Sequence, residues 1–251
     1  AVAAVKESRT TKEKRIRPLA RVLFAQHSSA GDVLMTTRCL KGISERYKGL
    51  PLDYMTSPQY MDILENNPYI ENVLPWNPEL LKRYQYVVNP HGDRILPGHW
   101  GMNSNSLLAD FYWKILKVEP TKATIELVRP SAIPQDIVNK LEEIPFVVVH
   151  TTGGDPEFRT YKYMADVCKG IHQRGYLTVQ LGGPNDYPAG AMHDLRGLLS
   201  FRETAWVMNE AAYAITVDSF ISHLAGFLDI PQVCLFGSGN ANVVRPVGEV
   251  I

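Results

Sequence analysis

Two aspartates stand where a short apolar run gives way to a helical pattern, each among small or hydroxyl-bearing residues that let a backbone turn tightly. The first run ends Gln26-His27-Ser28-Ser29-Ala30-Gly31-Asp32, and Val33-Leu34-Met35-Thr36-Thr37 continues it as a helix. A carboxylate held at such a start can take a proton from a hydroxyl. The plainer reading is that Asp32 caps the helix, whose dipole favours the ionised form. The second run, Ala214-Ile215-Thr216-Val217, turns through Asp218-Ser219-Phe220-Ile221-Ser222-His223 into another helix. Ser219, Phe220 and Ile221 would offer N–H groups at its positive end, with His223 about one turn inside, which makes an anion site. Here the plainer reading has Asp218 capping the helix and His223 packed against the sheet.

Other strand ends are weaker. Val147-Val148-Val149-His150 runs into Thr151-Thr152-Gly153-Gly154-Asp155, a loop able to present hydroxyls and backbone N–H groups to a phosphate, or a plain turn. Arg159 and Lys162 follow and would lie near the same end, where a cation neutralises a departing diphosphate. Leu181-Gly182-Gly183-Pro184 repeats the strand-then-glycine pattern. Gly237-Ser238-Gly239 begins like a dinucleotide fingerprint but lacks the third glycine and a following helical pattern, which argues against NAD. No Walker, HExxH or cysteine-rich zinc pattern occurs, and no two aspartates are separated by a single residue. The Asp-x-Asp element of many metal-dependent sugar transferases is therefore missing, and no metal or cofactor is expected.

The elements that position these loops follow from periodicity. From Arg21 onward, runs rich in Val, Ile, Tyr and Phe alternate with helical stretches, the pattern of repeated βα units and a mostly parallel sheet. Strands are expected over residues 22–25, 52–56, 72–74, 86–88, 146–150, 177–181, 213–217 and 232–236. Ser57-Pro58, Asn77-Pro78 and the box Ser200-Phe201-Arg202-Glu203 mark helix starts. Val128-Arg129-Pro130-Ser131-Ala132-Ile133-Pro134 and an amphipathic stretch to Pro145 interrupt the alternation. The expected organisation is a basic tail over residues 1–19, a Rossmann-like domain over 20–130, a linker and connecting helix over 131–145, and a second Rossmann-like domain over 146–251. In such sheets ligands bind beyond the carboxyl ends of the strands.

Composition bounds the rest. The 251 residues carry 26 Lys+Arg against 26 Asp+Glu, a balance unlike that of a general nucleic-acid binder. A 45% apolar and 21% charged content is that of a globular chain, with no apolar run of membrane-spanning length and no apolar leader. Cys39, Cys168 and Cys234 are odd in number and far apart, which fits a reducing compartment and buried thiols. A soluble, cytoplasmic protein is expected. The tail has six basic residues against two acidic ones; it is either a solvated terminus or a contact with an anionic membrane or partner.

Taken in order from Arg21 to Gly248, the segments resemble glycosyltransferase family nine, the ADP-heptose:lipopolysaccharide heptosyltransferases. Gly31 to Thr37 is similar to the family's first βα loop, and Ser57-Pro58-Gln59-Tyr60 and Asn67-Pro68-Tyr69-Ile70-Glu71 to its next segments. Asp194-Leu195-Arg196-Gly197, Ser200 to Glu203, Val217-Asp218-Ser219, His223-Leu224-Ala225, Pro231 and Phe236-Gly237 resemble its donor-binding half. The resemblance implies a GT-B fold, two Rossmann-like domains facing across a cleft, and inverting, metal-independent transfer of a sugar from a nucleoside diphosphate, ADP foremost, to a glycan or lipid-linked glycan hydroxyl. It implies Asp32 as the base. It places Asp218, Ser219 and His223 on the donor phosphates and Thr151, Thr152, Gly153, Gly154, Arg159, Gly182 and Gly183 around the nucleotide. His27, His91, Asp93 and Arg94, with Trp100, are candidates for the acceptor side.

The chain departs from the family in three places. Phe220 stands where a glycine usually follows Asp-Ser or Asp-Thr, the loop from His91 to Asn105 has few basic residues, and the chain stops at Ile251 where family members continue into further helices. The alternative implied is a reduced GT-B module that binds a nucleotide sugar, or a protein partner, without catalysis. For the catalytic reading, the basic tail is expected to hold the enzyme at the inner membrane face.

Overall fold

The computed structural model describes residues 19–90 and 107–248. All eight expected strands form, within a few residues of the expected bounds: β1 Leu19–Ala25, β2 Leu52–Thr56, β3 Asn72–Pro75, β4 Tyr84–Val88, β5 Phe146–Val149, β6 Leu177–Gln180, β8 Tyr213–Val217 and β9 Gln232–Leu235. A ninth, β7 His193–Asp194, is a two-residue edge strand, too short and polar to show a pattern. Phe146-Val147-Val148-Val149 is buried along its whole length, as expected of a parallel strand covered on both faces.

The helices are α1 Ala30–Thr36, α2 Leu40–Arg46, α3 Leu108–Leu116, α4 Gln135–Glu143, α5 Met164–His172, α6 Phe201–Glu210, α7 Phe220–Phe227 and α8 Ala241–Val244. The signals at Ser57-Pro58 and Asn77-Pro78 open 3-10 helices, Pro58–Leu64 and Pro78–Lys82, which serve as short connectors. The box at Ser200 forms as written, Glu203 Oε2 accepting the Ser200 N–H at 2.9 Å and Ser200 Oγ accepting the Glu203 N–H at 3.2 Å. One turn of helix, α8, does follow Gly237-Ser238-Gly239, contrary to the sequence expectation.

Two wholly parallel sheets result, ordered β3-β2-β1-β4 and β7-β6-β5-β8-β9. In each, the order reverses beside the first strand, between β1 and β4 and between β5 and β8. A crevice opens at such a reversal, so the loops after β1, β5 and β8 are the ones the topology sets aside for a ligand.

The layers share one apolar core, which joins Phe24, Val33 and Leu34 to Phe146, Val148 and Leu224 without a break. Across it α1 packs on α7, and Pro58–Leu64 packs on α6. Arg202 on α6 ties the same faces: its backbone N–H and Nε reach the Asp62 carboxylate at 3.0 and 2.8 Å, and its guanidinium also pairs with Glu65 and Glu126. The chain between α3 and α4 crosses in irregular form, held by Thr121 N–H on Arg38 O, Thr124 N–H on Thr37 Oγ1 and Ser131 N–H on Glu203 Oε1. Cys39, Cys168 and Cys234 are free and buried, and burial pushes the Cys39 thiol up to about 12. Among the described residues no helix is long and apolar enough to cross a membrane.

A core shared by both sheets makes unfolding cooperative between them. Leu224→Ala, at a fully buried position, is expected to cost about 2–5 kcal/mol and to lower the midpoint of a single urea transition. Two separate transitions, with only the later sheet affected, would contradict the shared core.

Candidate functional site

A cavity of about 970 Å³ lies where the two crevices meet, large enough for a nucleotide sugar. Its walls are the loops after β1, β5, β6 and β8 together with the start of α6. At its floor α1 and α7 touch end to end. A Cβ added at Gly31 would stand 3.4 Å from His223 Cδ2 and 3.9 Å from Phe220 Cα, in ordinary van der Waals contact with both.

Asp32 lines this cavity from the third position of α1. The cap itself is Ser29, which corrects the simple capping reading: Asp32 Oδ2 accepts the Ser29 N–H at 2.8 Å and the Ser29 hydroxyl at 2.7 Å. Oδ1 accepts the Tyr112 hydroxyl at 2.6 Å. Burial and the neighbouring Asp32 hold Tyr112 well above the ordinary phenol value, so it stays a donor. Three donors therefore fix the carboxylate, and Oδ1, with one donor on its two lone pairs, keeps room for a further hydrogen bond.

Asp218 does not cap α7 either. Ser219 is the cap, and its N–H is taken by Ser222 Oγ at 3.1 Å, so the expected trio of open N–H groups reduces to Phe220 and Ile221. The Asp218 carboxylate instead faces Arg159, Nη1 to Oδ2 3.1 Å, as an ion pair without hydrogen-bond alignment. Burial raises the Asp218 carboxyl, with Arg159 and His223 opposing the shift. His223 is buried, its Nδ1 has no partner, and desolvation lowers its imidazole below the usual 6.5. A Cβ at Gly153 would meet Asp218 O at 2.5 Å and Arg159 Cβ at 2.9 Å, which is why the β5 loop needs a glycine there.

The structure brings Asp32, Thr152, Gly153, Gly154, Arg159, Gly182, Gly183, Asp218, Ser219, His223 and His27 to one cavity. Thr151 does not line it; its buried hydroxyl donates to Tyr187 O at 2.6 Å, and Thr152 Oγ1 accepts the Tyr187 N–H at 2.9 Å. Lys162 is exposed and away from the lining residues, which leaves the expected cationic role to Arg159. Gly182 has φ +138°, and a Cβ there would sit 2.1 Å from Asp186 Oδ2; the Gly183 N–H is taken by that same oxygen at 2.9 Å. His27 is exposed, its ring edge-on to Trp76 at 4.8 Å between centroids. His91, Asp93, Arg94 and Trp100, and all but the last residue of the 1–19 tail, lie outside the described residues. Tyr112, His150 and Asp186 are site residues that sequence reasoning did not single out. Only His150, at a strand's carboxyl end, carried a positional signal. Among the described residues no three His, Cys, Asp or Glu side chains gather as a metal-holding group.

Residues 147–251 match the model of glycosyltransferase family 9 (heptosyltransferase). No curated protein matches the chain. Among solved structures, a glycosyl transferase family 9 protein from Veillonella parvula DSM 2008 is 17% identical over 92% of this chain and 86% of its own, with a TM-score of 0.67. The E. coli ADP-heptose lps heptosyltransferase II is 15% identical over 92% of this chain and 90% of its own, with a TM-score of 0.70. TibC of enterotoxigenic E. coli, a dodecameric iron-containing heptosyltransferase solved with ADP-D-beta-D-heptose, is 18% identical over 94% of this chain and 63% of its own, with a TM-score of 0.67. These likenesses show the GT-B fold.

The buried imidazole of His223 makes stability depend on pH. Because the folded state lowers the His223 value, its contribution is present above the usual 6.5 and is lost as pH falls through the folded value. The His223→Gln chain is expected to lose less stability than the wild type between about pH 7 and pH 5, read from urea midpoints. Equal losses would place the acid sensitivity elsewhere.

Proposed function

We propose that the chain is an inverting, metal-independent glycosyltransferase that moves heptose or a related sugar from a nucleoside-diphosphate donor, an ADP-sugar foremost, to a hydroxyl of a glycan or lipid-linked glycan. The observation that carries this reading is the end-to-end contact of α1 and α7, which puts Asp32 and the Asp218 to His223 turn on the same cavity. A sugar held by its phosphates at the start of α7 has its anomeric carbon between that turn and Asp32. The acceptor hydroxyl attacks from the α1 side and gives its proton to Oδ1 of Asp32, while Ser29 and Tyr112 hold the carboxylate in place. Negative charge builds on the departing diphosphate, where Arg159 and the Phe220 and Ile221 N–H groups compensate it. These groups supply the charge stabilisation for which other transferases use a metal.

One observation favours the binding-only alternative: the Phe220 ring lines the cavity and packs edge-on to Phe201, with centroids 4.8 Å apart. Such a wall narrows the space beside the phosphate site. The acceptor and any membrane contact of the basic tail rest on the family resemblance. A tail at a membrane face would be read by co-sedimentation with anionic vesicles, lost on deleting residues 1–19.

The base role of Asp32 is tested by Asp32→Asn. ADP affinity by calorimetry should be retained while ADP release from ADP-heptose in the presence of hydroxyl acceptors falls by about 10²–10⁴-fold; unchanged turnover removes Asp32 from the role. Wild-type transfer should also persist in excess chelator, and its loss there would overturn the metal-free mechanism. Binding of ADP without any transfer to glycan acceptors would select the binding-only reading.

A further inference from the structure

Behind the phosphate side of the cavity lies a hydrogen-bonded line that the mechanism above does not use. His150, at the carboxyl end of β5, is buried to 3% exposure. Its Nδ1 stands 3.1 Å from Ser219 Oγ and its Nε2 stands 3.2 Å from Asp186 Oδ2. Asp186 is itself fixed, because Oδ2 also accepts the Gly183 N–H at 2.9 Å and Arg196 donates to its backbone carbonyl. Arg196 in turn grips Asp194 through Nε and Nη2 at 2.8 and 2.6 Å. At the other end Ser219 caps α7, the helix whose first turn faces the expected diphosphate. All three members of the line touch the cavity.

We infer that Asp186, His150 and Ser219 form a proton relay that serves the departing diphosphate, a role that rests on the transferase reading above. With one ring proton, His150 gives Nε2–H to Asp186 and accepts the Ser219 hydroxyl at Nδ1. With two, Nδ1–H points at Ser219 Oγ, and the serine hydroxyl is released to donate to a phosphate oxygen. The charged and titratable groups sharing the cavity with the imidazole are Asp186 after β6, Arg159 on the β5 loop, Asp218 beside Ser219, His223 inside α7, Asp32 on α1, Asp62 and His27.

The proton accounting closes. The acceptor oxygen forms its bond to the anomeric carbon and loses its proton to Asp32. The bond from that carbon to the diphosphate oxygen breaks, with the electron pair staying on oxygen. Ser219 passes its proton to that phosphate and takes the Nδ1 proton of His150, whose positive charge Asp186 had balanced. Asp32 then releases its proton to solvent and His150 regains one. Neither exchange needs a metal or an oxidant. Ser219 is the group that touches substrate; His150 and Asp186 act through it.

The test uses the whole chain with ADP-D-beta-D-heptose as donor and water or glycerol as acceptor, reading ADP release, and calorimetry with ADP. Ser219→Ala, His150→Gln and the double variant should each lose about 10²-fold in kcat or more, with little change in KM or ADP affinity. The double variant should lose no more than either single one, because members of one relay act as a unit. Ser219→Thr, which restores a hydroxyl, should recover most of the rate. Ser219→Ala tests the idea even where His150→Gln fails to fold. An active wild type whose Ser219→Ala form keeps its kcat, or losses that multiply in the double variant, would overturn the relay alone. A wild type that binds no ADP and releases none overturns the transferase reading with it.

Discussion

Everything at the cleft depends on the seating of α1 against α7 through Gly31. The two helices begin in different sheets, and nothing local brings their starts together; the shared core beneath them does. Val33 and Leu34 on α1 and Leu224 on α7 belong to one buried cluster, so the apolar faces of both helices are satisfied only when the helices meet. Burial of side chains of this size is worth roughly 1.5–3 kcal/mol each, far more than any single polar contact across the cleft. Gly31 lies at that contact, where an added methyl group would stand in ordinary van der Waals contact with His223. The Arg202 cluster on the opposite side adds direction: one guanidinium answers three carboxylates and cannot slide without losing some of them.

This closeness has a cost. Pressing α7 against α1 removes water from His223 and Asp218, and burial moves both toward their neutral forms. Arg159 offsets part of that for Asp218, yet its alignment is imperfect, and Asp218 Oδ2, Arg159 Nε and His223 Nδ1 remain without hydrogen bonds. The Asp32 end is different in kind, because its carboxylate is fully supported before any ligand arrives. The two sides of the cleft thus differ in how their carboxylates are supported, by three hydrogen bonds at Asp32 and by an ion pair at Asp218.

Much of the architecture was legible because parallel strands buried on both faces leave continuous apolar runs, and Phe146 to Val149 or Tyr213 to Val217 can hardly be read otherwise. β7 was not legible, since two residues at a sheet edge need no apolar pattern; it exists because β6 offers an open edge. For the site, the sequence located the loops and the fold assigned the roles. Asp32 and Asp218 both looked like caps, and in both places the neighbouring serine took that position, since Ser29 and Ser219 could close a box with a partner three residues on. That freed Asp32 to receive Tyr112 and Asp218 to face Arg159. Thr151 looked equal to Thr152 in sequence, but strand alternation turned it inward to hold the Tyr187 segment. Tyr112 and Asp186 carried no signal, because each acts only through a residue distant in sequence, 80 positions away for Tyr112 and Asp32, 36 for Asp186 and His150.

Phe220 shows how the same turn works without the glycine that the family resemblance leads one to expect. A glycine there would let the backbone itself close on a pyrophosphate. With phenylalanine, the ring needs a place, and it finds one against Phe201, which in turn lies 6.2 Å from Tyr60 across the domain boundary. The side chain is thereby seated against α6 and forms an apolar part of the cavity wall. The side chains that stand at this turn are Arg159, facing Asp218, and Ser219, facing His150. The Phe220 ring and the two polar pairs beside it therefore belong to one arrangement, in which an edge-on ring contact seats the turn next to a cation and a hydroxyl.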